Sequence, residues 1–139
     1  MEKTRLMIEI GTGVELHGQD PTRAAAKAVR DAVSRVCFGM GLTETFKLGG
    51  HKDSVVSILV GVPHHEQVNQ EEVLKMIPYG EREIRVVEGG LIAKGHYDPG
   101  AGDKSDDVII ANAAITVFVN AESLMKMCAL EEAKSPTMG

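Results

Sequence analysis

The stretch Lys3-Thr4-Arg5-Leu6-Met7-Ile8-Glu9-Ile10, then Gly11-Thr12-Gly13-Val14-Glu15-Leu16-His17-Gly18, then Gln19-Asp20-Pro21, decides the fold. Leu6, Ile8 and Ile10 fall on one side and Arg5, Met7 and Glu9 on the other, the period of two that marks a half-buried strand. Asp20 supplies an N-cap, and Pro21 stands at the first helical position, where a missing N–H costs nothing. A strand, a glycine-rich run and a helix are thus expected in that order.

Downstream, Ala25, Val29, Ala32, Val33 and Val36 make one apolar stripe, with Lys27, Arg30, Asp31 and Arg35 opposite and Asp31–Arg35 spaced as an i,i+4 ion pair. Gly39 and Gly41 are expected to end this helix, and residues 42–53 to form a polar connection. Ser54 to Val62 is nearly continuous, β-branched and apolar, which predicts a second, central strand stopped by Pro63. Asn69 and Glu72 match a capping box and open a short helix that Pro78 ends. Glu83 to Glu88 is the third expected strand, Gly95 to Asp107 a mobile surface loop, and Val108 to Val119 the fourth strand. Asn120 caps a last helix reaching about Leu130, with a frayed tail over 131–139.

The pattern βαβαββα predicts a single α+β domain over residues 1–130: a mixed four-stranded sheet with helices on one face, as in a ferredoxin-like or chorismate-mutase-like two-layer sandwich. Two of its strands are apolar on both faces, which predicts burial of the second face in a homo-oligomer, a trimer by analogy with small sandwich enzymes. The chain has 139 residues, 43% hydrophobic and 25% charged, with a formal charge of −5. That composition suits one ordinary globular core, and it lacks the Lys/Arg clusters of a nucleic-acid binder. No apolar run is long enough for a bilayer and no secretory leader is evident, so a cytoplasmic location is expected. Cys37 and Cys128 belong to no metal or redox spacing and read as buried thiols, and Met40, Met76, Met125 and Met127 as core packing.

Chemistry concentrates in the glycine run. It follows a strand and precedes a helix N-terminus, where backbone can approach a ligand and free N–H groups favour anions. If the segment stays extended, Glu15 and His17 share a face, so Glu15 can orient His17 for acid–base work or the two can join a metal shell with a histidine of the His64-His65 pair. Otherwise the glycines make a turn and His17 is a satisfied hydrogen-bonding residue. The glycine spacing is wrong for a dinucleotide fingerprint. Gly11, Gly13 and Gly18, His64 after the second strand, Glu88 before Gly89-Gly90, and Asn112 within an apolar strand complete the candidate ligand site. Asn112 either satisfies a neighbouring backbone group or faces a polar pocket. His96 and Asp98 can close as a lid, and no serine or cysteine nucleophile motif is evident.

The run GTGVELHGQDPTRAAAKAVRDA resembles the N-terminus of a small conserved-hypothetical bacterial family, also present in plants behind a long prefix, with the signature GxGxDxHG. Val62-Pro63-His64, Ile77-Pro78-Tyr79-Gly80, Val87-Glu88-Gly89-Gly90 and Ile110-Ala111-Asn112-Ala113-Ala114 extend the resemblance over nearly the whole chain. It puts Gly11, Gly13, Glu15, His17 and Gly18 on the signature, with Glu15 where the pattern has Asp. It implies no activity. The Glu15-Leu16-His17 triplet is also similar to the Asp-x-His metal pair after the first strand of the trimeric isoprenoid cyclodiphosphate synthases. The expected function is a small enzyme with sites between subunits, acting by His/Glu acid–base chemistry on a small anionic or carbonyl-containing metabolite. The alternative is a non-catalytic module for a small anion or a metal; no cofactor is named by the sequence.

Overall fold

A computed structural model of the chain describes residues 3–35, 54–78 and 80–134. The expectations for Val36, Cys37, Gly39, Met40, Gly41, the connection 42–53 and the end of the tail lie outside them. Strand β1 (Lys3–Glu15) is followed by helix α1 (Pro21–Ser34), β2 (Ser54–Gly61), α2 (Gln70–Leu74), β3 (Glu81–Val87), β4 (Leu91–Lys94), β5 (Asp107–Asn120) and α3 (Ala121–Lys134). Both predicted caps form: Asp20 Oδ1 accepts from the Thr22 N–H at 2.9 Å, and Asn69 Oδ1 from the Glu71 N–H at 3.1 Å. Asp31 and Arg35 pair at 2.8 Å.

The sheet is mixed and has five strands, not the expected four. Its path is β1-β5-β2-β3, with β4 also pairing β5. Leu91–Lys94 is the additional strand, held by Asp107–Ile110 across a register that no local pattern announces. The neighbouring pair β2–β3 is parallel, which departs from the ferredoxin-like layout, where a strand is inserted between the two strands of each βαβ unit. β1 and β2 each run antiparallel to β5, so β1, β2 and β3 all end at the same edge of the sheet.

The core lies on one face. Val56, Ile58 and Val60 of β2 and Ile109, Ala111, Ala113, Ile115, Val117 and Val119 of β5 pack against Ala24, Ala25, Ala28, Val29 and Ala32 of α1. Period-two alternation sends their neighbours to the opposite face, where Ile8, Ile10 and Leu59 are 54%, 50% and 43% exposed.

β1 does not stop at Ile10; it continues through the glycine run to Glu15. Gly11 and Gly13 lie on the helix side of the strand, where a Cβ on Gly13 would stand 2.1 Å from the Ala24 carbonyl oxygen and one on Gly11 2.1 Å from that of Ala28. These two glycines let α1 lie directly on β1. They do not form a loop.

The last helix also departs from expectation: it runs to Lys134, past the predicted start of the tail. Leu124 packs against the core, but Met125 and Cys128 are exposed, because α3 leaves the sheet beyond the end of β5. Met76 is packed against the core as expected. Among the described residues no helix is long and apolar enough to cross a membrane.

Candidate functional site

At the end of β1 the chain bends. Gly18 has φ +89°, and Gln19 holds the left-handed conformation at φ 50°, unusual for a residue with a side chain. Gln19 is held there by its amide: Oε1 accepts from the Lys104 N–H at 2.8 Å, while Nε2 donates to the Asp107 carbonyl at 3.0 Å and to Asp103 Oδ1 at 3.1 Å. The bend carries His17 away from the strand's alternation and toward the segment joining β4 to β5.

There it meets Asp103, whose side chain is fully buried. His17 Nδ1 lies 2.7 Å from Asp103 Oδ2, which also accepts from the Asp98 N–H at 2.9 Å. Asp103 Oδ1 accepts from the Gly18 N–H at 2.7 Å. The hydrogen bond to His17, reinforced by those from Asp98, Gly18 and Gln19, holds the Asp103 carboxyl well below the usual carboxylate range. The His17 imidazole is raised above its ordinary value, first by the bond to Asp103 and then, against some desolvation, by the charges of Asp103, Asp98 and Glu15. Its ring remains 42% exposed. With Nδ1 engaged, Nε2 is the nitrogen left to face solvent.

Glu15 is not the partner of His17. It shares the helix-facing side of β1 with Gly11 and Gly13, and it is buried. Lys27 Nζ donates to its Oε1 at 3.1 Å, and Arg23 Nε stands 3.0 Å from Oε2, close enough to pair charges but not aligned for a hydrogen bond. The expected Glu15–His17 couple fails because the strand ends between them.

Two N–H groups of the glycine run are already engaged. The Thr12 N–H donates to Asp31 at 2.9 Å, and that of Gly18 is taken by Asp103.

A second histidine–carboxylate pair forms at the ends of β2 and β3. His65 Nδ1 lies 2.8 Å from Glu88 Oε2 and 3.3 Å from Glu66 Oε2. The hydrogen bond from His65 lowers the Glu88 carboxyl. His65, Glu66 and Glu88 offer three ligand atoms within 4.8 Å of one another, a set of N and O donors suited to a first-row ion. His64, the residue singled out in the sequence, is exposed and turned by a left-handed φ of 58°; its neighbour makes the contact instead.

Asn112 sits on the uncovered face, where its Oδ1 accepts from the Thr12 hydroxyl at 3.4 Å. With Ile10, Leu59, Gly61, Glu88 and Ala114 it lines a shallow depression of about 320 Å³. Asp98 caps the short turn Pro99–Ala101 through the Gly100 N–H at 3.0 Å, and His96 is exposed. Within the segment from Gly95 to Asp107, Asp103 is tied by hydrogen bonds to His17, Gly18, Gln19 and Asp98.

Asp103 and Gln19 were not legible as site residues. Asp103 is one of several aspartates in a polar loop, and its contact with His17 spans 86 residues.

The structure defines a one-sided α+β domain whose parallel strand ends carry two histidine–carboxylate pairs, one anchored by a buried aspartate. Its family follows from comparison: a model described as conserved hypothetical protein (Lin0512_fam) matches residues 5–117, and the chain belongs to that family. No curated protein matches it. Among solved structures, the chain is similar to the crystal structure of an FtsZ-like protein of unknown function from Nostoc punctiforme PCC 73102. The two are 40% identical with a TM-score of 0.75, over 86% of this chain and 98% of that one.

Proposed function

We propose that this chain is a small acid–base enzyme in which His17 moves a proton to or from a small carbonyl-containing metabolite. One observation carries this reading: a fully buried Asp103 holds Nδ1 of a half-exposed His17 at 2.7 Å. A buried carboxylate on Nδ1 sets the tautomer, leaves Nε2 as the basic atom and stabilises the imidazolium that forms when it takes a proton. Asp103 is here a positioning residue. Glu15 adds only its charge, since its carboxylate is turned to Arg23 and Lys27. A carbonyl substrate suits the site better than a free anion, because the charges of Asp103, Asp98 and Glu15 all act on the ring and the Gly18 N–H beside it is taken by Asp103.

The test is proton exchange in D2O, followed by NMR over a panel of small aldehydes, ketones and keto acids. The protein is expected to exchange the hydrogen next to the carbonyl in at least one of them, and His17→Gln to slow this by about 10²–10⁴-fold. Asp103→Asn is expected to shift the pH dependence of the exchange to lower pH, since Asp103 raises the His17 imidazole. Equal rates with and without the His17 imidazole overturn the proposal.

A second reading, a metal-binding module, rests on the cluster His65, Glu66 and Glu88. Calorimetric titration with zinc tests it: binding by the natural chain that is lost in Glu88→Gln supports it, and no heat of binding removes it.

A further inference from the structure

The sheet face opposite the helices is apolar where a solvated face is polar. Ile8, Ile10, Val14, Leu59 and Leu91 are each between 38% and 59% exposed, and Phe118 and Ile110 stand among them. The pairing registers arrange this face in rows across the strands β1, β5, β2 and β3. Arg5, Phe118, Val55 and Glu81 form one row; Ile10, Ala114, Leu59 and Arg85 another; Thr12, Asn112, Gly61 and Val87 a third. Arg5 lies over the Phe118 ring, 6.0 Å from its centroid, which fixes both on the same side.

We propose that this face pairs with the same face of a second copy about a two-fold axis parallel to the strands and lying between β5 and β2. Such an axis sets each row against itself reversed, β1 over the partner's β3 and β5 over the partner's β2, as in an aligned β-sandwich. Three of the rows are complementary under that operation; the fourth, Ile8, Thr116, Ser57 and Glu83, sets Thr116 against the partner's Ser57 and, at the rim, Ile8 against the partner's Glu83. Arg5 at the basic β1 edge falls opposite the partner's Glu81 at the acidic β3 edge, and this happens twice per pair. Leu59 falls opposite the partner's Ala114, and Asn112 opposite the partner's Gly61, large against small in both. Ile10 falls opposite the partner's Arg85, whose aliphatic stem can cover it while the charge reaches the rim.

The area agrees with a specific contact. With strands about 4.8 Å apart and about 3.3 Å per residue, this face offers on the order of 600 Å² per copy, and a pair reaches the lower end of standard interfaces. The depression beside Asn112 and Gly61 straddles the proposed axis, so pairing turns two open hollows into one enclosed chamber at the centre of the interface. Asn112 is then a buried polar group that fixes the register of the two sheets.

Sedimentation or light scattering at micromolar concentration tests the proposal on the full chain. The natural protein is expected at about 30 kDa, twice the 14.9 kDa of one chain. Leu59→Arg is expected at the single-chain mass, with far-ultraviolet dichroism unchanged. Arg5→Glu should weaken the pair by about tenfold, and adding Glu81→Arg should restore it. That charge swap lies on exposed strand edges and keeps the test decisive if Leu59→Arg does not fold. A natural protein that stays at the single-chain mass, forms a trimer, or assembles in a way indifferent to Leu59→Arg and to the charge swap overturns it.

Discussion

Substituting Gly13 by alanine should destabilise this protein far more than an alanine in a strand ordinarily does. The added Cβ would lie 2.1 Å from the Ala24 carbonyl oxygen and 2.4 Å from the Ala28 nitrogen. Both obstacles are backbone, so no side-chain rotation relieves them, and α1 must move off β1 by more than about 1 Å to reach ordinary contact distance. A retreat of that size loosens Ala24, Ala25, Ala28, Val29 and Ala32 against the sheet together. Overpacking costs about 1–3 kcal/mol and sometimes more, and this site belongs at the upper end. The loss of unfolded-state freedom on replacing glycine returns about 0.4–1 kcal/mol. The net expectation is about 2–3 kcal/mol, read as a fall of roughly 10 °C in Tm or about 1–2 M in the urea midpoint. Gly18→Ala is the control. Nothing lies within 4 Å of its Cβ, but its φ of +89° strains any L side chain, so it should cost about 1–2 kcal/mol without disturbing α1. A Gly13→Ala protein within about 0.5 kcal/mol of the natural one would refute the packing account and return Gly13 to the role of a ligand-facing glycine.

The stability contributed by the His17–Asp103 pair should be confined to a pH window. His17 is raised above 6.5, so its share is complete below that pH and is lost as pH rises through the raised value; Asp103 is lowered below 3.8, so its share is present above that pH and is lost on further acidification. The Tm difference between the natural protein and His17→Gln, measured across pH, should therefore be largest between these limits and shrink on either side. Asp103→Ala leaves the Gly18 and Asp98 N–H groups without their acceptor and removes one of the acceptors of the Gln19 amide, and limited proteolysis should then cut the segment from Gly95 to Asp107 faster than in the natural chain. Asp20→Ala removes the cap of α1 and should lower stability by about 1 kcal/mol in urea unfolding, with the fold unchanged.

Much of the fold was readable residue by residue. The Asp20-Pro21 helix start, the Asn69 cap and the β-branched run after Val108 each encode their element through contacts within a few residues; the alternation of Leu6, Ile8 and Ile10 announced a strand but not its faces, because a register shift between Arg5 and Met7 lets Leu6 and Met7 pack on the core and leaves Ile8 and Ile10 with Arg5 on the bare face. Where the glycine run belongs was misread, because glycine carries the same local signature in a turn as in a strand crushed against a helix. The difference lies in what stands above it, here the backbone of Ala24 and Ala28. Leu91–Lys94 was missed for a related reason: four residues are too few for a period, and only the pairing with β5 makes them a strand.

The candidate site divides the same way. His17 stood out in the sequence because a histidine just after a strand and before a helix N-terminus lies where side chains and backbone can meet a ligand. Its partner did not, since Asp103 reaches it only after the chain has run through three more strands, β2 to β4. Glu15, two residues away, looked the better partner and is held instead by Arg23 and Lys27 of α1. The sequence by itself determined the elements, their caps and the end of the first strand as the place for chemistry, because those depend on periodicity and hydrogen bonds between near neighbours. Tertiary structure alone decided which carboxylate holds the histidine and which face of the sheet stays bare, because both depend on what the rest of the chain brings within 3 Å.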